Sequence, residues 1–210
     1  MKTELSQTWL PYEFQALRKL KSPRGIQTFL DTIPYHHSKS AWSPRRVLHE
    51  KTAHCLEGAI FAAAALRVLG YPPLILDLEA VNDSDHVIAV FKRNNYWGAI
   101  ATSNFSGLRY REPVYRNVRE LVMSYFENYI NLRGERTLRR YSAPVNLKKF
   151  DSKHWMTTDS PVWFIAEHLV EIPHAPILKR GTAQTLTRVD LRSLTAAQVG
   201  ASKKKKIKPE

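Results

Sequence analysis

Two side chains in this sequence are suited to nucleophilic attack coupled to proton transfer. Cys55, the one cysteine of the chain, stands at the head of the segment AHCLEGAIFAAAALRVLG, which is polar only near its ends. A thiol in the first turn of a buried helix lies beside N–H groups that have no partner within the helix, at the positive end of the helix dipole. Both favour the thiolate and predict a lowered pKa. The same N–H groups can hold an oxyanion formed on a substrate carbonyl. His86 opens the run DHVIAVF, shares a face with Ile88 and Val90, and follows the acidic Asp83 and Asp85. An imidazole within reach of the thiol can take its proton and return it to a leaving group. Each residue also has a plain reading, the cysteine as a small buried hydrophobe and the histidine as a structural partner of a carbonyl or carboxylate.

Other polar groups fit this chemistry less well. Glu57 is two residues from Cys55, so helix geometry puts the two on different sides, and a capping or ion-pair role suits it better than that of a general base. His54, Cys55 and His86, with His36 and His37, lack the paired spacing of a zinc site, and neither a metal nor another cofactor is expected. Ten arginines and lysines between Arg109 and Lys149, set among Tyr110, Tyr115 and Tyr141, could bind nucleic acid. No nucleic-acid-binding signature accompanies them, and a solvated helix face with its loop accounts for them as well.

The elements that must position Cys55 and His86 are legible from local pattern. The central helix is apolar all round, hence buried. It starts near Cys55 and ends near Leu69, where Gly70 and Pro72-Pro73 stop it. LILDLEA, DHVIAVF and YWGAIA read as successive strands, the last two joined at Asn94-Asn95. Ser22-Pro23 and Ser43-Pro44 are helix starts, and a final helix is expected from Asp159-Ser160-Pro161 to Pro173. Apolar residues from Val118 to Ile130 recur at helical steps, up to Gly134. The class is α+β, a buried helix packed on an antiparallel sheet with flanking helices.

A cysteine at a helix start followed by EGAIFAAAALRVLGYPP, then DHVIAVF, then YWGAI, resembles the transglutaminase-like family of the papain-like thiol fold, over roughly residues 50 to 105. The continuation LRYREPVYRNVRELVMSYFENY is similar to a microbial branch of that family. The resemblance implies a nucleophile at Cys55, a base at His86 and an aspartate on the next strand, commonly four residues after a Trp, to orient the imidazole. Here Trp97 is followed four residues later by Ala101, which cannot do so. A two- or four-residue turn would pair Lys92 with Trp97 and set His86 opposite Ser103. A three-residue turn would set it opposite Asn104, an amide that papain-like enzymes use. Ser103, Asn104, Asp85 if the strand begins after it, and no replacement at all remain open.

The 210 residues, 43% hydrophobic, suit one domain over residues 1–180. The longest apolar run, Ala59–Leu66, is far short of the roughly 18 residues that span a bilayer. With one cysteine and no apolar leader near Met1, a cytoplasmic location is expected. The formal charge of +13 suits an anionic partner. From Gly181 the chain is rich in Thr, Ala, Ser and Lys and ends in KKKKIKPE, which predicts a basic tail without structure over residues 181–210. Two functions fit: a thiol enzyme acting on a peptide or other amide, by hydrolysis or acyl transfer, or a degenerate binding module for an anionic partner such as nucleic acid.

Overall fold

The computed structural model describes residues 8–202. Among the described residues four complete helices precede the sheet, and local chemistry sets their starts. The helix α1 (Pro11–Arg18) opens with Glu13 reaching back 2.9 Å to the Leu10 N–H. Ser22 and Ser43 accept N–H groups from the first turns of α2 (Pro23–Thr32) and α3 (Pro44–Glu50), each with a proline at its head. The fourth, α4 (Cys55–Val68), begins at a capping box in which Glu57 accepts the His54 N–H. It ends in a Schellman turn: Gly70 takes φ 95°, its N–H bonds Arg67 O, and the Tyr71 N–H reaches Leu66 O at 2.9 Å.

Beyond α4 comes a sheet of seven strands, antiparallel at every pairing, in the order β4-β3-β2-β1-β5-β7 with β6 also beside β1. Its centre is β1 (Leu74–Ala80), β2 (His86–Arg93) and β3 (Tyr96–Ile100). Asn94 and Asn95 both adopt left-handed φ, so a two-residue hairpin turn pairs Lys92 with Trp97. The outer strands are β4 (Arg111–Tyr115), β5 (Leu138–Ser142), β6 (Val145–Asn146) and β7 (His174–Pro176). The helices α5 (Val118–Phe126) and α6 (Trp163–Glu171) flank them. The first is shorter than its periodicity suggests, because Asn128–Ile130 turn and Ile130 bridges Arg136.

The alternation along the strands splits the core. Ile75, Val87, Ala89, Phe91 and Ile100 face α4, which the other early helices and α6 wrap. Leu76, Leu78, Ile88, Val90, Ala99 and Ala101 face Leu121, Val122, Tyr125, Phe126 and Tyr129. Among the described residues no helix is long and apolar enough to cross a membrane.

Residues 181–202 depart from the expectation of a tail without structure. They form a 3-10 turn (Thr182–Thr185) and the helix α7 (Leu191–Ala197). Their anchors are mostly polar: the Val189 N–H on Gly134 O, Arg136 on Thr187 O at 2.6 Å, and Ser106 Oγ on Ala196 O at 2.9 Å. Hydrogen bonds to main-chain groups need no apolar signature, so composition misses them. The lysine run from Lys203 lies outside the described residues.

Candidate functional site

Cys55 occupies the first position of α4 and is partly exposed. Backbone N–H groups of Val87, Leu56 and Cys55 itself favour its thiolate. Burial outweighs them, and the nearby Asp77 charge adds to it, so the thiol is pushed up. This reverses the lowered pKa expected from the helix start, because a low-dielectric environment opposes a bare sulfur anion more than one helix end favours it. Tyr35 pairs with Ala53 just ahead of α4, which brings its hydroxyl against the Cys55 main chain and thiol. Burial pushes that phenol up as well and keeps it a proton donor.

His86 is 4% exposed at the start of β2. Its Nε2–H donates to Leu108 O at 2.9 Å, and its ring meets Tyr129 edge-on. With the proton fixed on Nε2, Nδ1 keeps a lone pair and is the atom able to accept a proton. Burial pushes the imidazole down to about 4; the Leu108 bond opposes this and the Arg111 charge reinforces it. Leu108 ends a 3-10 turn (Ser106–Leu108) that Arg111 staples to α5. The guanidinium donates to Gly107 O, Tyr110 O and both oxygens of Ser124, while it lies 4.0 Å from the centroid of the Tyr125 ring.

The third member expected beside the imidazole is none of the residues weighed for it. The hairpin register is the one that would set His86 opposite Ser103, but the β2–β3 ladder stops at Ala89 and Ile100. Buried Gln27 is the physical reason: its carboxamide takes both main-chain groups of Ala101, at 3.0 Å each, and so draws the chain out of the ladder. Ser103 then caps its own loop by accepting the Phe105 N–H. Asn104 bonds Ser202, and Asp85 accepts the Ala80 N–H. The orienting group is instead the Leu108 carbonyl, for which sequence offers no signal, since every residue has one.

A cavity of about 220 Å³ collects these residues. Tyr35, Cys55, His86, Ser103, Asn104 and Leu108 line it, together with Asp83 and Asp85. No family model matches this chain, and no curated protein matches its sequence. The cavity and its chemistry are therefore what speak for function. Glu57 has the supporting role expected of it, buried and bonded to His36, Ser40 and the Trp42 N–H. Among the described residues no three His, Cys, Asp or Glu side chains gather as metal ligands.

Of the basic residues between Arg109 and Lys149, Arg116, Arg119 and Arg133 lie exposed on the helix and the loops beside it, as the solvated reading has them, but two others do more. Arg111 and Arg140 are ties to carbonyl oxygens, the latter to His174 O. Sequence reasoning also missed a buried acid–histidine pair on the α4 side of the sheet. His174 Nε2 lies 3.0 Å from Asp77 Oδ2, and His174 Nδ1 bonds Ile172 O. Burial pushes Asp77 up to about 6 against the pull of His174. The two residues are 97 positions apart in the chain, and only the β1–β5–β7 pairing unites them.

Proposed function

We propose that this chain is a transglutaminase-like thiol protein that uses Cys55 for acyl chemistry on a peptide or other amide. The sulfur forms a bond to the substrate carbonyl carbon while its proton passes to His86 Nδ1. The N–H groups at the start of α4 and the Tyr35 hydroxyl receive the oxyanion. Collapse breaks the carbon–nitrogen bond, and the imidazolium gives its proton to the departing amine. Water or a second amine then releases the acyl group from the thioester. The observation that carries this reading is the shared cavity of Cys55, His86 and Tyr35, with the imidazole proton already placed on Nε2.

A neutral carbonyl stabilises the imidazolium less than a carboxylate would, and the thiol is pushed up, so the resting pair is thiol and neutral imidazole. Such a pair reacts slowly with unactivated amides, and an activated ester is the sensitive probe. With 4-nitrophenyl acetate, a hydroxylamine-labile acetyl group should appear on the Cys55 peptide by mass spectrometry. It should form about 100-fold more slowly in His86→Gln. Acetylation at equal rates in both proteins, or none at Cys55, would sink the enzyme reading.

One observation favours a second reading. Ala101 fills the place of the orienting acid, and Gln27 clamps its backbone there. A degenerate binding module that meets an anionic partner through the basic surface would then remain. It would show as heparin or DNA retention that falls steeply with salt, in a chain whose thiol stays unacylated.

A further inference from the structure

We propose that Asn104 is a clamp for the main chain of an extended, lysine-rich polypeptide at the mouth of the Cys55 cavity, and that the chain's own C-terminal segment fills it in cis. The Asn104 carboxamide lies against one residue. Its Oδ1 accepts the Ser202 N–H at 3.1 Å, and its Nδ2 donates to Ser202 O at 3.3 Å. A carboxamide carries an acceptor and a donor side by side, which matches the C=O and N–H of a single extended residue. These two bonds go to main chain, so the clamp reads backbone first, and the Ser202 hydroxyl adds a third bond to Oδ1 at 3.1 Å.

Those surroundings are the two walls of the cavity mouth. Ser202 Oγ bonds Asn104 Oδ1 at 3.1 Å and His37 Nε2 at 2.8 Å. His37 follows the cavity residue Tyr35 by two positions, and Asn104 lies between the cavity residues Ser103 and Phe105. Ser202 thus ties together the segment after Tyr35 and the loop at Asn104, both of which contribute residues to the cavity. Upstream, Ala197 is buried and Ser106 holds Ala196 O, so the segment is delivered to the clamp at a high local concentration. The residues that follow Ser202 in sequence are four lysines. The cavity wall carries Asp83 and Asp85; among the described residues their carboxylates are met by the Thr137 hydroxyl and the Ser84 and Ala80 N–H groups, and by no arginine or lysine. A basic extended peptide satisfies both the carboxamide and this charge.

The regulatory consequence rests on the reading of this cavity as the reactive site, whereas the clamp itself does not depend on thiol chemistry. Two full-length variants test it. Ser202→Pro removes the main-chain donor and the hydroxyl together, and Asn104→Ala removes the receptor. A fluorescein-labelled peptide of residues 198–208 is titrated into each by anisotropy, and Cys55 is alkylated with a bulky maleimide in parallel. With the cis segment released, Ser202→Pro should bind the peptide on the order of tenfold more tightly than the parent chain. Its Cys55 should react several-fold faster. Adding Asn104→Ala to Ser202→Pro should abolish the gain in binding and leave the thiol fast. Peptide affinity equal in all chains, or a Cys55 rate unchanged by Ser202→Pro, would overturn the proposal. Cys55→Ser in the Ser202→Pro background should still bind the peptide, so loss of binding and loss of acyl chemistry can be told apart.

Discussion

His86 owes its low pKa first to burial, and a residue that never hydrogen-bonds it adds to that shift and holds the ring's partner in place. Arg111 holds the turn that presents the Leu108 carbonyl, and its charge also lowers the imidazole pKa. These two effects separate by substitution. Arg111→Lys keeps the charge but loses the fork that grips Gly107 O and Ser124 O. Arg111→Ala loses both, and should cost about 2 kcal/mol of stability from the unpaired carbonyls. By NMR of the ring protons, His86 should titrate near 4 in the parent chain, where burial holds it. It should move upward in Arg111→Ala and less in Arg111→Lys. An unchanged titration in Arg111→Ala would mean that burial alone sets the value. Cys55 gives the companion measurement at this scale. Because burial pushes its thiol up, iodoacetamide should modify native protein with a half-rate pH above that of the urea-unfolded chain, whose thiol lies near the ordinary value of about 8.5.

At the scale of elements, α4 can approach the segment that leaves β3 only because Gly58 has no side chain. A Cβ at Gly58 would meet Thr102 Oγ1 at 2.4 Å and Thr102 Cβ at 2.8 Å. Gly58→Ala should therefore destabilise by about 1–3 kcal/mol through overpacking, against a helix-propensity gain of about 1 kcal/mol. Thr102 Oγ1 is buried without a partner, so Thr102→Ala alone should be close to neutral. The double variant should recover part of the Gly58→Ala loss, and urea unfolding of the four proteins gives the coupling. Additive losses would show that the contact is not what excludes alanine. This element was legible in sequence, as was the β2–β3 hairpin, because an all-apolar run and paired asparagines are local signals; the register stayed open between two turn lengths until the structure paired Lys92 with Trp97. The outer strands were not. LRRYS and REPVY are short, and each ties an arginine to a carbonyl, Arg140 to His174 O and Arg111 to Gly107 O, so the expected alternation is weak there. The site was half legible for the same reason. Cys55 and His86 stand out by residue type, whereas the Leu108 carbonyl, the Gln27 clamp and Tyr35 become visible only when distant segments meet.

Across the whole molecule, two buried groups on opposite faces of the sheet set opposing pH dependences of stability. His86 is pushed down to about 4 from an unfolded value near 6.5. The unfolded chain therefore binds the extra proton between those limits, and the contribution of His86 is full above 6.5 and lost as pH falls toward 4. Asp77, faced by His174, Asp85 and Glu79, is pushed up to about 6, from an unfolded value near 3.9. Here the native chain binds the extra proton, so its contribution is full below 3.9 and lost as pH rises toward 6. From pH 4.5 to 6.0 the two slopes are each about 1.4 kcal/mol per pH unit with opposite sign, and they nearly cancel. Asp77→Asn keeps a carboxamide against His174 Nε2 but cannot titrate. Its stability should rise by about 2 kcal/mol over this interval relative to the parent chain, as measured by urea unfolding at the two pH values. His86→Gln should do the reverse and lose a similar amount relative to the parent. A difference between parent and Asp77→Asn that does not change with pH would show that Asp77 does not titrate in this interval.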